Sequence, residues 1–224
     1  VAAELLTWNE GPGHRPRRLT DLLEDTDRPA VAALQEVHDW SHDVKGYDRL
    51  AAPSHTYPDR EARSTVLLVR RKGVRLLRYG FRDVGGRGWW WNGGVWHPPR
   101  VFPWARLEVD GLGPLAVIGV HRVPGGPVPG IARNAPEWRR EHRALVQWHR
   151  HRPRVPTVAL GDWNDRKSTE APRSVSALAD QVGGTLSLEG IDGAIVRGLR
   201  VATTELPSRY GSDGHHPVLV HLSR

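Results

Sequence analysis

The sequence predicts a mixed α/β fold, and three observations carry that reading. Short apolar runs bounded by Gly, Pro, Asp or Asn recur along the whole chain. Longer stretches with helical spacing lie between them. The 224 residues, 38% hydrophobic and 25% charged, can close a sizeable core as one compact domain spanning 1–224.

Taken in chain order, Glu4 to Trp8 reads as a strand that ends at Asn9, and Pro16 to Glu24 as a helix. Val31 to Leu34, Thr65 to Arg70 and Val74 to Tyr79 follow as apolar strands. Val84 to Pro103 is rich in Gly and Pro and is expected to be a long loop. Trp104 to Val109 and Leu115 to Val120 resume the strand pattern, and Pro124 to Ala135 forms a second long loop. Pro136 to His149 has the best helical credentials. Pro136 and Glu137 suit a first turn, Trp138, Leu145 and Trp148 form an apolar stripe, and Arg139, Arg140, Arg143 and Arg150 face elsewhere. Thr157 to Leu160 is a strand, Arg173 to Val182 a helix, and Ile191 to Val196, Leu199 to Thr204 and Val218 to Leu222 close the chain as strands. No fixed-period repeat or dividing linker is evident.

Composition excludes several classes of chemistry. With no cysteine there is no disulfide framework, thiolate metal site or cysteine nucleophile, so the chemistry must run on oxygen and nitrogen groups. No apolar run approaches the roughly 18 residues that span a bilayer, and the opening VAAELLTWNE lacks the regions of a signal peptide, so no membrane insertion is expected. The chain holds no methionine, so Val1 is expected to arise from processing, and a removed leader is compatible with the sequence. The 32 Lys and Arg against 25 Asp and Glu give a net charge of +7, which favours a polyanionic partner such as nucleic acid. Only Lys45, Lys72 and Lys167 among the basic residues are lysine, and the codon usage of a GC-rich genome would produce the same skew.

Acidic, amide and histidine groups sit where strands should end: Asn9 after ELLTW, Glu36 after VAALQ, His121 after LAVIGV, and Asp162 and Asn164 after TVALG. In an extended segment Asp162 and Asn164 point to one side and Trp163 to the other. Carboxylates with amide oxygens suit Mg²⁺, Mn²⁺ or Ca²⁺ rather than zinc. Singly, Asp and Asn after a strand are ordinary turn formers or helix caps.

Together the segments say more. The ordered set LLTWN, ALQEV, VIGVHRVP, VALGDWND, IDGAIV and GSDGHHPVLVHL, spanning residues 5 to 222, resembles the endonuclease/exonuclease/phosphatase superfamily, the metal-dependent phosphoesterases that include deoxyribonuclease I and exonuclease III. The resemblance implies a four-layer α/β sandwich, two packed, mostly antiparallel sheets flanked by helices, with an active site along one rim. It also implies roles. Glu36 would be the principal metal ligand with Asn9 beside it, and Asp162 and Asn164 would position the attacking water and bind the phosphate. His121 in HRVP looks like the histidine of deoxyribonuclease I-like members, where exonuclease III-like members carry tyrosine. Asp192 would orient a second histidine, and Asp213 would serve the metal side. The last motif departs from the usual Ser-Asp-His-x-Pro by one extra residue, Gly214. Counting back from Pro217 makes His215 the catalytic histidine, since the following strand fixes register and glycine absorbs a bulge.

The division of acid and base work between His121 and His215 stays open at this level. Arg122, next to His121, is a candidate phosphate contact, and Trp91 and Arg100 in the Gly-rich loop are candidate substrate contacts, the indole stacking a base or packing beneath the loop and the arginine gripping phosphate. His142, His149 and His151 lack HExxH spacing and are expected on a solvated helix face. The expected activity is hydrolysis of nucleic-acid phosphodiesters, DNA in preference to RNA, with Mg²⁺ or alternatively Mn²⁺ or Ca²⁺. A small or lipid phosphoester substrate, or a nucleic-acid-binding module without turnover, are the competing readings.

Overall fold

In the central strands every second side chain is apolar on both faces, which forces each sheet to be covered on both sides. The structure, a computed structural model, describes residues 3–11, 16–38, 44–53, 55–56, 62–84, 88–90, 95–97, 100–122, 135–152, 154–165, 173–207 and 215–224. Its elements are β1 (Ala3–Asn9), α1 (Pro16–Asp25), β2 (Val31–His38), β3 (Tyr47–Ala51), β4 (His55–Thr56), β5 (Ala62–Arg70), β6 (Val74–Asp83), β7 (Gly88–Trp90), β8 (Val95–His97) and β9 (Val101–Val109). They continue as β10 (Gly113–His121), α2 (Ala135–Arg150), β11 (Thr157–Asp162), α3 (Val175–Val182), β12 (Thr185–Glu189), β13 (Asp192–Arg197), β14 (Arg200–Glu205) and β15 (Val218–Ser223).

The first sheet has the order β14-β15-β1-β2-β5-β3 with β4 beside β5, and the second β12-β13-β11-β10-β9-β6. Most neighbours are antiparallel. The exceptions are β1 with β2 and β10 with β11, each pair being parallel with α1 or α2 as its crossover. Alternation divides the apolar residues into three layers. Leu5, Val31, Leu67, Val117, Val158, Val196 and Val220 meet between the sheets. Leu6, Trp8, Leu34 and Leu68 point the other way, onto Leu19, Leu22 and Leu23 of α1. Ile118, Val120, Ala159 and Ile195 face Leu145 and Trp148 of α2 and Leu178 of α3. The result is the expected four-layer sandwich. Fully burying an aliphatic side chain contributes about 1.5–3 kcal/mol, and a register slip of one residue would exchange whole layers.

Helix α3 has a local start and stop signal. The Ser174 side chain accepts from the Ala177 amide, Asp165 Oδ2 accepts from Val175 N at 2.7 Å, and Gly183 closes the helix at φ 63°.

Some expectations are corrected. The stretch Val84 to Pro103 is not all loop, because β7 and β8 form a small hairpin within it and β9 already starts at Val101. Strands β3 and β12 gave no apolar run, since both are edge strands with polar residues such as Asp48, Arg49 and Ser187. His142 and His149 are buried rather than solvated. His142 lies against Arg173 O and Gln181 Oε1, both at 3.2 Å, and His149 Nδ1 lies 2.8 Å from Thr157 Oγ1. Burial, joined by the charges of Arg197 and Arg152, pushes His149 down to about 3 and keeps it neutral. His151 is exposed as expected.

Gly161 and Gly193, paired across β11 and β13, sit where backbones crowd. A Cβ at Gly161 would fall far inside the contact distance of the Val120 carbonyl oxygen, whereas one at Gly190 would meet open space. Gly161→Ala is therefore expected to cost about 3 kcal/mol, a fall in Tm of roughly 6–12 °C. Gly190→Ala, where only the left-handed backbone is penalised, should cost about 1 kcal/mol. Thermal melts of the two variants check this, and equal Tm values would contradict the crowding argument.

Candidate active site

The inter-sheet face of each central strand is apolar until its last residue. On β11, Val158 and Leu160 point between the sheets, and two residues further the same face carries Asp162. On β10 the series Leu115, Val117 reaches His121, and on β13 Val196 and Ala194 lead back to Asp192. Register places His121 opposite Asp162 and Asp162 opposite Asp192, so the three stand side by side on adjacent strands. From the facing sheet, β1 brings Asn9, its last residue, and β2 brings Glu36.

Three contacts then cross between the sheets. Asn9 Nδ2 donates to Asp162 Oδ2 at 3.0 Å, His215 Nδ1 and Asp192 Oδ2 are 2.9 Å apart, and His121 Nε2 lies 3.6 Å from Glu36 Oε1. The same Nε2 is 3.7 Å from Asp162 Oδ2. Glu36 reaches the site because of a bulge. The β2–β5 register advances from Leu34↔Val66 to Val37↔Ser64, and Glu36 takes the extra position at φ 54°, a left-handed conformation that costs a non-glycine residue about 1–3 kcal/mol. Regular alternation would have turned Glu36 to the α1 side with Ala32 and Leu34.

Asn164, at φ 48°, completes a tight turn. Its backbone N–H donates to Asp162 Oδ1 at 2.8 Å and its Nδ2 to the Arg122 carbonyl at 2.8 Å. Trp163 points to the helix side and is fully buried, as the alternation of GDWND requires. Arg100 Nη1 donates to His121 Nδ1 at 2.8 Å, which assigns the ring proton of His121 to Nε2, facing the carboxylates. The hairpin register of β9 and β10 produces this pairing, and the sequence offered no signal for it.

The electrostatics are those of crowded carboxyls. Burial pushes Asp162 above the usual carboxylate range and the charge of Asp192 adds to it, while His215, Asn9 and the Asn164 amide pull back. Burial also raises Asp192. For His215 burial alone would lower the pKa, yet the hydrogen bond to Asp192 and the charges of Asp162, Asp192 and Glu36 push it up to about 9.

Glu36, Asp162 and Asp192 offer carboxylate oxygens, which fits a hard divalent cation. Asp192 Oδ1 is buried with no hydrogen-bond partner among the described residues, a group that a cation would satisfy. Ligand atoms of Asp162, Asp192 and His215 lie within 4.8 Å of one another.

The sequence of the Endonuclease/Exonuclease/phosphatase family matches residues 6–213, nearly the whole chain. The chain belongs to that family. Its members are typically metal-dependent phosphoesterases. No curated protein sequence matches the chain. Solved structures do. An endonuclease/exonuclease/phosphatase from Beutenbergia cavernae superposes with a TM-score of 0.73 at 17% identity, covering 99% of this chain and 71% of that one. The human Nocturnin catalytic domain with bound sulfate gives 0.65 at 17%, covering 99% and 93%. D. rerio TDP2 complexed with a single-strand DNA product gives 0.63 at 12%, covering 100% and 99%. At such identities the likeness shows the deoxyribonuclease I-like fold of the family.

Not every expected site residue joins the cluster. Arg122 is fully buried on the helix side, its guanidinium 3.3 Å from the Trp138 ring centroid and its Nε 3.6 Å from Glu141 Oε2. It follows His121 on β10 and so takes the opposite face, which removes it as a phosphate contact. Arg100 touches His121. Trp91, Asp213 and Gly214 lie outside the described residues.

With the metal chelated, the raised pKa of His215 has a definite sign. The group binds a proton in the fold that the unfolded chain releases between about 6.5 and 9, so its contribution is full below 6.5 and lost as pH rises through about 9. NMR titration in EDTA is expected to show His215 protonated at pH 7 in the parent protein. Asp192→Asn should move the midpoint down, and an unchanged midpoint would contradict the pairing.

Proposed function

We propose that this chain hydrolyses phosphodiester bonds in nucleic acid, cutting internally as a deoxyribonuclease I-like endonuclease, DNA in preference to RNA, with Mg²⁺ as cofactor and Mn²⁺ or Ca²⁺ as substitutes. The observation that carries the reading is the meeting of two imidazoles, His121 and His215, over the carboxyls of Glu36, Asp162 and Asp192 at one mouth of the sandwich. The net charge of +7 supports a polyanionic substrate, as does the DNA strand held by TDP2.

Phosphodiester hydrolysis must bring water against a phosphorus shielded by negative oxygens and expel a poor alkoxide. A divalent ion held by Glu36 and Asn9, with Asp213 as the further ligand that the family resemblance implies, would offset charge on the phosphate and on the carboxylates. In its neutral form His215, its Nδ1 fixed by Asp192, presents Nε2 to take the proton of the attacking water. Asp162, tied to Asn9 and to the Asn164 amide, orients that water. His121 donates from Nε2 to the phosphate, because Arg100 occupies its Nδ1, and Asn164 donates beside it through its amide.

Incubation with supercoiled plasmid tests the whole reading. Nicked circles are expected with Mg²⁺ and none with EDTA. Glu36→Ala, His121→Ala and His215→Ala should each lower the nicking rate by at least about 100-fold. Nicking by all three variants at the parent rate would refute the assignment. Release of phosphate from small phosphoesters, with the plasmid untouched, would transfer the site to another substrate.

A further inference from the structure

A second region of the molecule, a groove on the outer face of the second sheet, gathers arginines. Ala116 lines it, and Ala116 and Ile118 point to the helix side of β10 whereas His121 points between the sheets. Five residues of strand, roughly 17 Å, further separate Ala116 from His121. The groove has a volume of about 560 Å³, a size that holds one or two nucleotides. Arg78 and Arg82 reach it from β6, Arg106 from β9, and Arg152 and Arg154 from the segment after α2. Among the described residues no carboxylate lines it. Among the described residues none of these five arginines pairs with an acid, and Arg78, Arg106 and Arg154 are exposed.

Two of the five are already engaged. Arg82 Nη2 donates to Gln147 Oε1 at 2.9 Å, and Arg152 Nη1 donates to the Trp148 carbonyl at 2.7 Å. Burial lowers the Arg152 pKa, and the charges of Arg82, Arg106 and Arg78 lower it further. Edge strands often carry basic residues to deter pairing, which accounts for Arg78 and Arg82 on β6 but not for Arg106 on the interior strand β9 or for Arg152 and Arg154. The floor is flat. Gly80 stands opposite Trp104, and a Cβ there would come within 2.9 Å of the indole, so the ring lies directly against the strand. The Arg152 guanidinium stacks over it, 5.0 Å from its centroid.

We propose that this groove binds single-stranded nucleic acid, its arginines holding successive phosphates and a base lying on the Arg152 guanidinium that covers Trp104. Guanidiniums without an acidic partner, gathered from three segments of the chain, select several phosphates rather than one. A flat guanidinium surface backed by an indole suits an unstacked base, which a duplex does not present and an acidic peptide lacks. The proposal stands on charge and rings alone, so it holds or fails independently of the hydrolysis proposed above.

The test is fluorescence anisotropy of a labelled dT decamer in EDTA, where no turnover occurs. Arg106→Glu with Arg154→Glu is expected to weaken binding at least tenfold and to flatten the salt dependence. Lys72→Glu with Arg200→Glu, two exposed positions elsewhere with the same change of net charge, should cost less than threefold. An abasic decamer should bind at least fivefold more weakly than dT. Circular dichroism melts verify folding, and Arg106→Gln with Arg154→Gln offers a milder variant expected to shift affinity in the same direction. Equal losses from the groove and control pairs would overturn the proposal in favour of diffuse attraction, and equal affinity for the abasic strand would overturn it in favour of a bare polyanion site.

Discussion

The hydrogen bond from Asn9 to Asp162 ties one sheet to the other where the apolar layer between them ends. Everything at the rim depends on the condition that permits it, namely central strands buried on both faces. Such strands cannot slip by a residue without turning an apolar layer into the wrong environment. Their ends are therefore fixed in depth and in facing, and polar groups placed there meet without any need for long loops to hold them.

The rim carries a load that the rest of the fold bears. Asp162 and Asp192 are buried side by side and Glu36 is held in a left-handed backbone conformation, each at a cost in stability. The apolar layers that meet between the sheets and under the helices offset this. Carboxyls gathered at one mouth fit the divalent-metal dependence that is general in the family. A concentration of arginine lies on the outer face of the second sheet.

Much of this was legible in the residues. The strands of the two sheet centres and all three helices coincide with apolar periodicity, because burial on both faces leaves no room for polar interruptions. Asn9, Glu36, His121 and Asp162 were marked by their position at strand ends, and Asp192 and His215 by the resemblance of their motifs to the family's. The edge strands β3 and β12 were not legible, since a half-exposed strand tolerates Asp, Arg and Ser. His142 and His149 misled, because a polar residue on the buried stripe of an amphipathic helix looks solvated until its partners on other elements are known. Arg122 misled for a related reason, adjacency in sequence being opposition across a strand.

By itself the sequence determined which strands are central, which residues end them, and the oxygen and nitrogen character of the chemistry, for these depend on local period and residue type. Only the tertiary structure decided that a bulge turns Glu36 inward, that Arg100 rather than Arg122 stands at His121, and that five arginines from three separate segments share one groove. Those outcomes rest on register between strands far apart in the chain, and register is settled by the simultaneous burial of every layer rather than by any one segment.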